Sequence, residues 1–450
     1  MTTIKKKYFG TDGIRGRVGG AVIQPEFMVK LGFAIGSTLS LQSSSKPTVL
    51  IGRDTRDSGE MLQFALQAGL ISAGVNVALL DVLSTPAIAL LTLQLHADAG
   101  LVISASHNLY EDNGVKIIGK NGFKLPDEWE MDIEQKIDAA SHAVKADTLG
   151  HVSIISDAAS QYITHCVQLF GQDFSLQRYK IVVDCANGAT FNCAETIFSS
   201  LGADVVLMHA TPDGKNINDQ CGATHLHSLQ ARVLQEKADC GIAFDGDGDR
   251  LMMVDHLGRV VDGDEILCIL ATDETLGQSH YPGVVGTLMS NLGLEKALQS
   301  RSIAFERAAV GDRYVLEKLQ KNKWTLGGEG SGHIVNLQYS TTGDGIVSAL
   351  QVLRIMQKTT KSLCDLKNIM HKRPQILVNV RVQEPNRYAT QMDIMEALKQ
   401  AELQLGDQGR VLLRASGTES CVRVMVECDD EKEAIALAES LAAVVRAALM

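Results

Sequence analysis

Short apolar, β-branched runs alternate with longer amphipathic stretches along most of the chain. Residues 48–51, 100–103, 180–183, 204–208 and 240–244 predict buried strands, and 59–73, 194–201, 265–275 and 345–357 predict helices. Near-continuous apolar strands separated by helices indicate α/β units whose mostly parallel sheets are covered on both faces. The beat recurs in each of the first three stretches of roughly a hundred residues, which predicts three similar α/β domains. After Pro374 the order changes to strand 375–382, helix 390–403, strands 410–413 and 422–427, and helix 431–448. That is a compact α+β unit. The expected domains are therefore 1–156, 157–254, 255–370 and 371–450.

In open α/β sheets ligands bind beyond the carboxyl ends of strands. Four loops of unusual chemistry fall there or at the equivalent place in the last unit: 104–108, 245–250, 327–333 and 414–419. Spread over four proposed domains, they point to one site assembled at a central cleft.

The most specific loop is Asp245-Gly-Asp247-Gly-Asp249-Arg250. Continued as a strand, its carboxylates would lie ~7 Å apart on one face, too far apart for one cation. The glycines let the chain curl and the carboxylates converge. Three hard oxygen donors suit Mg²⁺, and without a cation their charges would repel. A calcium-binding EF-hand loop is excluded, because its sixth residue would be Arg250 rather than Gly and its twelfth His256 rather than Glu. The plain alternative is an acidic hairpin turn, since 251–254 reads as a return strand.

The other three loops each support two readings. Ser106, beside His107 at the end of an apolar strand, fits a nucleophile, although such serines commonly cap helices or close turns. The G-x-S-x-G hydrolase elbow is absent around it. Lys116 downstream is a phosphate partner or a surface cation. The run 327–333 holds four glycines with Glu329, Ser331 and His333. It is a close-approach loop gripping sugar hydroxyls or a flexible connection. It lacks the Gly-Lys-Ser/Thr ending of a nucleotide P-loop. Arg414, Ser416, Gly417 and Thr418, with Arg423 on the following strand, form a phosphate cradle or a turn with exposed arginines. Arg15, Arg53 and Arg56 add cations near other predicted strand ends.

Charge and cysteine content narrow the class. The net charge is 42 − 53 = −11, which argues against a nucleic-acid or membrane-surface partner held by overall charge. Met1–Met450 contains no run of the ~20 apolar residues a spanning helix needs, and the short basic opening has no apolar run after it to make a secretory signal. Nine cysteines without C-x-x-C or zinc spacing predict reduced, buried thiols and a cytoplasmic protein.

With these motifs in order, the chain resembles the α-D-phosphohexomutase superfamily nearly end to end. Within it, the opening Tyr8-Phe-Gly-Thr-Asp-Gly-Ile-Arg15-Gly and the later Thr341-Thr-Gly-Asp-Gly345-Ile-Val resemble the bacterial branch acting on glucosamine phosphate. The resemblance implies four domains around a central cleft, three of them related α/β units and the last a smaller, mobile α+β domain. It implies an enzyme interconverting glucosamine 6-phosphate and glucosamine 1-phosphate, through phosphorylated Ser106 and a sugar 1,6-bisphosphate, in amino-sugar and peptidoglycan-precursor metabolism. It further implies Mg²⁺ on Asp245, Asp247, Asp249 and Ser106. Glu329, Ser331 and His333 would bind the sugar, while Arg414, Ser416, Gly417, Thr418 and Arg423 would bind the non-reacting phosphate. Arg15, His107 and Lys116 would serve the transferring phosphoryl group. Action on mannose or glucose phosphates, or metal-stabilised phosphosugar binding without catalysis, are the alternatives. Three positions depart from the family pattern: Leu109 and Ser420 replace prolines, which is expected to loosen both loops, and Gly330 replaces a longer residue.

Overall fold

The computed structural model describes residues 6–42, 45–138, 148–276, 281–415 and 420–449. Four sheets carry the architecture. The first contains β1 (Ile14–Arg17), β2 (Thr48–Arg53), β3 (Asn76–Val82), β4 (Ala99–Ile103), β5 (Asp112–Gly119) and β6 (Val152–Ile154), in the order β1-β5-β4-β2-β3-β6. The second contains β7 (Lys180–Asp184), β8 (Asp204–Met208), β9 (Cys240–Phe244), β10 (Leu251–Asp255) and β11 (Val260–Val261), in the order β11-β10-β9-β7-β8. It therefore runs past residue 254, where the sequence reading placed a boundary. The third contains β12 (Gly283–Thr287), β13 (Ala304–Ala308), β14 (Leu326–Gly328) and β15 (Ile334–Asn336), in the order β13-β12-β14-β15. The fourth, β16 (Gln375–Arg381), β17 (Gly409–Ala415) and β18 (Cys421–Cys428), is antiparallel with β18 central.

The first three sheets share a plan. Each has a parallel core: β3-β2-β4, β8-β7-β9 and β13-β12-β14. The last strand of each core is joined by an antiparallel partner that follows it directly in the chain, giving β4–β5, β9–β10 and β14–β15. Strands β4, β9 and β12 are buried at every position, as an apolar run between two helical layers requires. The candidate loops of these sheets are thus the tips of hairpins anchored in buried strands.

The core follows the same division. One apolar cluster runs from Leu50 and Leu80 through Phe198 and Phe244 to Leu326 and Met370, joining the first three sheets. The fourth sheet has its own core, with Val424 and Val426 packed on Leu441 and Val445. A polar joint attaches it to the third: Arg410 donates to Leu288 O at 2.8 Å and Ser290 O at 2.6 Å, and Glu427, fully buried, accepts from Leu292 N at 2.6 Å. The helix expected over 265–275 is shorter, Gly263–Ala271. The Thr272 hydroxyl turns back onto Cys268 O at 2.7 Å, and Asp273 holds the Thr275 amide at 2.9 Å. Such local side-chain bonds compete with helix continuation. Among the described residues, no helix is long and apolar enough to cross a membrane. Among the described residues the nine cysteines form no disulfide, and all but Cys364 are buried.

Candidate active site

The β4–β5 hairpin presents Ser106. Its backbone has φ +52° and its side chain is buried. A serine in the left-handed region carries strain that only its surroundings can hold. The Ser106 hydroxyl donates to Asp245 Oδ2 at 2.6 Å, and His107 Nδ1 lies 3.5 Å from Ser106 Oγ. His107 is pulled down to about 4 by burial and by Arg250 and Arg15, so its imidazole is neutral at neutral pH.

The β9–β10 hairpin brings Asp245, Asp247 and Asp249 together, with one oxygen of each within 4.8 Å of the others. All three are buried. Burial, then Asp249 and Asp247, pushes Asp245 up to about 8. Burial also acts to raise Asp249, but Lys116 and His333 outweigh it and hold that carboxyl well below its ordinary range. Lys116 Nζ, reaching in from β5, lies 2.8 Å from Asp247 Oδ2 and 3.0 Å from Asp249 Oδ2. The Thr85 hydroxyl donates to Asp247 Oδ2 at 2.6 Å, while Asp247 Oδ1 is buried without a hydrogen-bond partner. Convergent hard oxygens, two of them (Asp247 Oδ1 and Asp249 Oδ1) buried without a hydrogen-bond partner, fit a hard divalent cation.

The β14–β15 hairpin lies against this cluster. Leu251 N donates to Gly332 O at 2.9 Å, and a Cβ on Gly332 would come within 2.2 Å of Leu251 O. The glycines therefore serve close backbone approach, and the flexible-connection alternative falls. His333 sits between Asp249 Oδ1 at 3.6 Å and Asp312 Oδ2 at 3.7 Å. Burial pulls its pKa down, but Asp249 and Asp312 prevail and raise it to about 9. Glu329 accepts from Gly311 N at 2.9 Å and from the Ser331 hydroxyl at 3.3 Å. Glu329, Gly330 and Ser331 line a cavity of about 650 Å³ that extends past Asp264 and Lys372 to Gln375 at the start of β16.

Arg414 and Arg423 form a separate group, directly opposite one another on β17 and β18. Burial and the neighbouring Arg423 both lower the Arg414 pKa. Like charges in that register repel, a repulsion that a bound anion would offset. Ser416, Gly417 and Thr418 lie outside the described residues.

Several polar side chains here were not singled out from sequence. Asp12 pairs with Arg15, Lys116 and Lys124, and Lys124 continues to Asp312. Arg250 lies 3.9 Å from Asp245. The position of Asp12 within the glycine-rich opening was the available signal; its partners are distant in sequence. Conversely, Arg53 and Arg56 are engaged by partners within the protein. Arg53 binds Glu60 and Asp81 at 3.0 Å each, and Arg56 is fully buried on Asp54 at 2.9 Å. A second grouping, Asp184 with His209 and Cys221, centres on an Asp184–His209 ion pair of 3.0 Å.

Comparison with known proteins gives a consistent result. Phosphoglucomutase/phosphomannomutase family models match in order: alpha/beta/alpha domain I over residues 6–143, domain II over 160–258, domain III over 262–373 and the C-terminal domain over 377–444. A phosphoglucosamine mutase of Coxiella burnetii is 55% identical over 98% of this chain and 99% of its own. One from Pseudomonas fluorescens is 51% identical over 98% of each. The crystal structure of a phosphoglucomutase/phosphomannomutase family protein from Burkholderia thailandensis superposes with a TM-score of 0.82 at 23% identity, covering 99% of this chain and 98% of that one.

Proposed function

The chain belongs to the phosphoglucomutase/phosphomannomutase family, and on that premise we propose that it interconverts glucosamine 6-phosphate and glucosamine 1-phosphate through a phosphorylated Ser106. The observation that carries the reading is the 2.6 Å contact between the Ser106 hydroxyl and Asp245 in a buried carboxylate triad. The choice of amino sugar rests on the full-length relatives of that name at 51–55% identity.

In this reading the phosphoryl group leaves Ser106 Oγ for the free hydroxyl of the sugar phosphate, and the hydroxyl proton ends on Ser106. The resulting 1,6-bisphosphate reorients and returns its other phosphoryl group to Ser106. Phosphoryl transfer needs positioning and charge neutralisation more than covalent help. Mg²⁺, held by Asp245, Asp247, Asp249 and the Ser106 phosphate, would supply charge stabilisation. Lys116, Arg15 and Arg250 surround the same point, and His107, neutral at working pH, leaves a ring nitrogen able to accept a proton. Glu329, Ser331 and His333 hold the sugar. Arg414 and Arg423, with Ser416, Gly417 and Thr418, hold the distal phosphate by bidentate contacts. Division into four units, the second ending after β11 (Val260–Val261) rather than at 254, and a cytoplasmic setting, suited to reduced thiols, belong to the same reading.

The test is phosphorus NMR of glucosamine 6-phosphate turnover with Mg²⁺ and a bisphosphate primer, together with mass spectrometry of the Ser106 peptide. Expected are glucosamine 1-phosphate, a phosphate on Ser106 that exchanges with substrate, and no turnover by Ser106→Ala. Turnover by that variant would exclude the serine carrier. Preferential conversion of mannose or glucose phosphate would replace the substrate.

A further inference from the structure

Ser106 holds a backbone conformation that serine disfavours, and something must fix it there. Two side chains from different sheets converge on its loop. Arg56, in the connection after β2, donates through Nη2 to Ser106 O at 3.0 Å and Asn108 O at 2.8 Å, and through Nη1 to Leu109 O. Asn218, in the connection after β8, donates through Nδ2 to the same two oxygens, Ser106 O and Asn108 O, at 2.9 Å each. Each carbonyl thus receives two donors, one from each sheet.

The donors are themselves anchored. Asp54, fully buried, accepts from Arg56 N at 3.0 Å and Arg56 Nε at 2.9 Å, and from the Ser104 hydroxyl at 2.6 Å. Ser104 Oγ in turn accepts from Ser106 N at 2.9 Å. Asn218 is also buried, and its N–H is tied to Ala186 O at 2.9 Å. Both main-chain polar groups of Ser106 are therefore satisfied by this network, while its hydroxyl is left to Asp245.

We propose that Arg56 and Asn218 are positioning residues that clamp the Ser106 carbonyl from two sheets and so aim the hydroxyl at the carboxylate triad. The proposal rests on Ser106 as the phosphoryl carrier. Neither side chain faces the substrate cavity, so their loss should slow the chemical step without weakening substrate binding.

The test uses the full chain with Asn218→Gly, which keeps the left-handed backbone accessible while removing both donors, and with Arg56→Gln. Steady-state kinetics on glucosamine 6-phosphate are paired with amide hydrogen exchange of the peptide spanning 104–109. Expected for each variant is a kcat lowered about 10²-fold with KM within about twofold, as for misplacement of a reacting group by about 1 Å, together with faster exchange. Arg56→Lys, which retains one donor head, should recover part of the loss. If Arg56→Gln fails to fold because it strands Asp54, Asn218→Gly decides alone, since it leaves that pair intact. A folded Asn218→Gly variant with kcat within about twofold of the parent, or with KM raised and kcat kept, overturns the clamp. If the parent itself turns over no phosphosugar, the mutase reading fails, and the exchange result then decides the clamp.

Discussion

Lys116 Nζ lies 2.8 Å from Asp247 Oδ2, and both groups are buried. Burial alone would favour a neutral amine, but Asp12, Asp247 and Asp249 outweigh it and raise the Lys116 pKa well above its ordinary value. The ammonium is therefore an internal counter-charge standing where a cation would otherwise carry the whole load. Lys116→Met removes it at similar length. We expect a lower melting temperature without divalent cation, a larger Mg²⁺-induced rise than in the parent, and turnover reduced by about 10²-fold or more. Thermal scans across a Mg²⁺ titration check this; a smaller Mg²⁺ response than the parent's would contradict it.

In the proposed function the cross-strand pair Arg414 and Arg423 meets a different demand, binding without chemistry. Arg414→Ala should raise KM for the phosphosugar about tenfold or more and lower kcat much less, the signature of lost uniform binding. It should also relieve repulsion, so stability should hold or rise. Steady-state kinetics decide the matter, and a fall in kcat at constant KM would remove Arg414 from the phosphate cradle.

Gly246 leaves no room for a side chain. An added Cβ would lie 2.6 Å from Ser106 O and 2.7 Å from Asn218 Nδ2. Gly246→Ala should cost about 1–3 kcal/mol as an overpacked site and reduce turnover by displacing the Ser106 carbonyl. Denaturant unfolding and activity are measured together; parental values for both would mean that the loop has slack.

The Asp184–His209 pair predicts a pH-dependent contribution to stability. The hydrogen bond to Asp184 raises the His209 pKa above 6.5 despite partial burial. The sign follows: the stabilisation is fully present below the unfolded value and lost as pH rises through the folded one. His209→Asn, which tolerates the positive φ at this position, should lower the melting temperature more at about pH 6 than at about pH 9. An equal loss at both would show that the ion pair adds nothing.

Much of this was readable beforehand because it is local. The apolar runs that became β4 and β9, and the three carboxylates separated by glycines, announce themselves within a few residues. Of the hairpins only β9–β10 did, with 251–254 read as a return strand; β5 and β15 look like any buried strand, and pairing direction is set by partners elsewhere. Arg56 shows how charge misleads. Its guanidinium suggested an anion site, yet its partners are Asp54, two residues away, and carbonyls some fifty residues on. Asp12 was passed over for the same reason, since Lys124 lies 112 positions later.

Leu109 stands where the family pattern has proline, and a looser loop was expected. Arg56 nonetheless grips the Leu109 carbonyl from 53 positions away. Every amino acid has that carbonyl, so the grip is blind to the side chain that follows it. Position 109 can then drift over evolutionary time without the serine losing its aim, because the loop takes its shape from Arg56, Asn218 and Ser104 rather than from the side chain at 109.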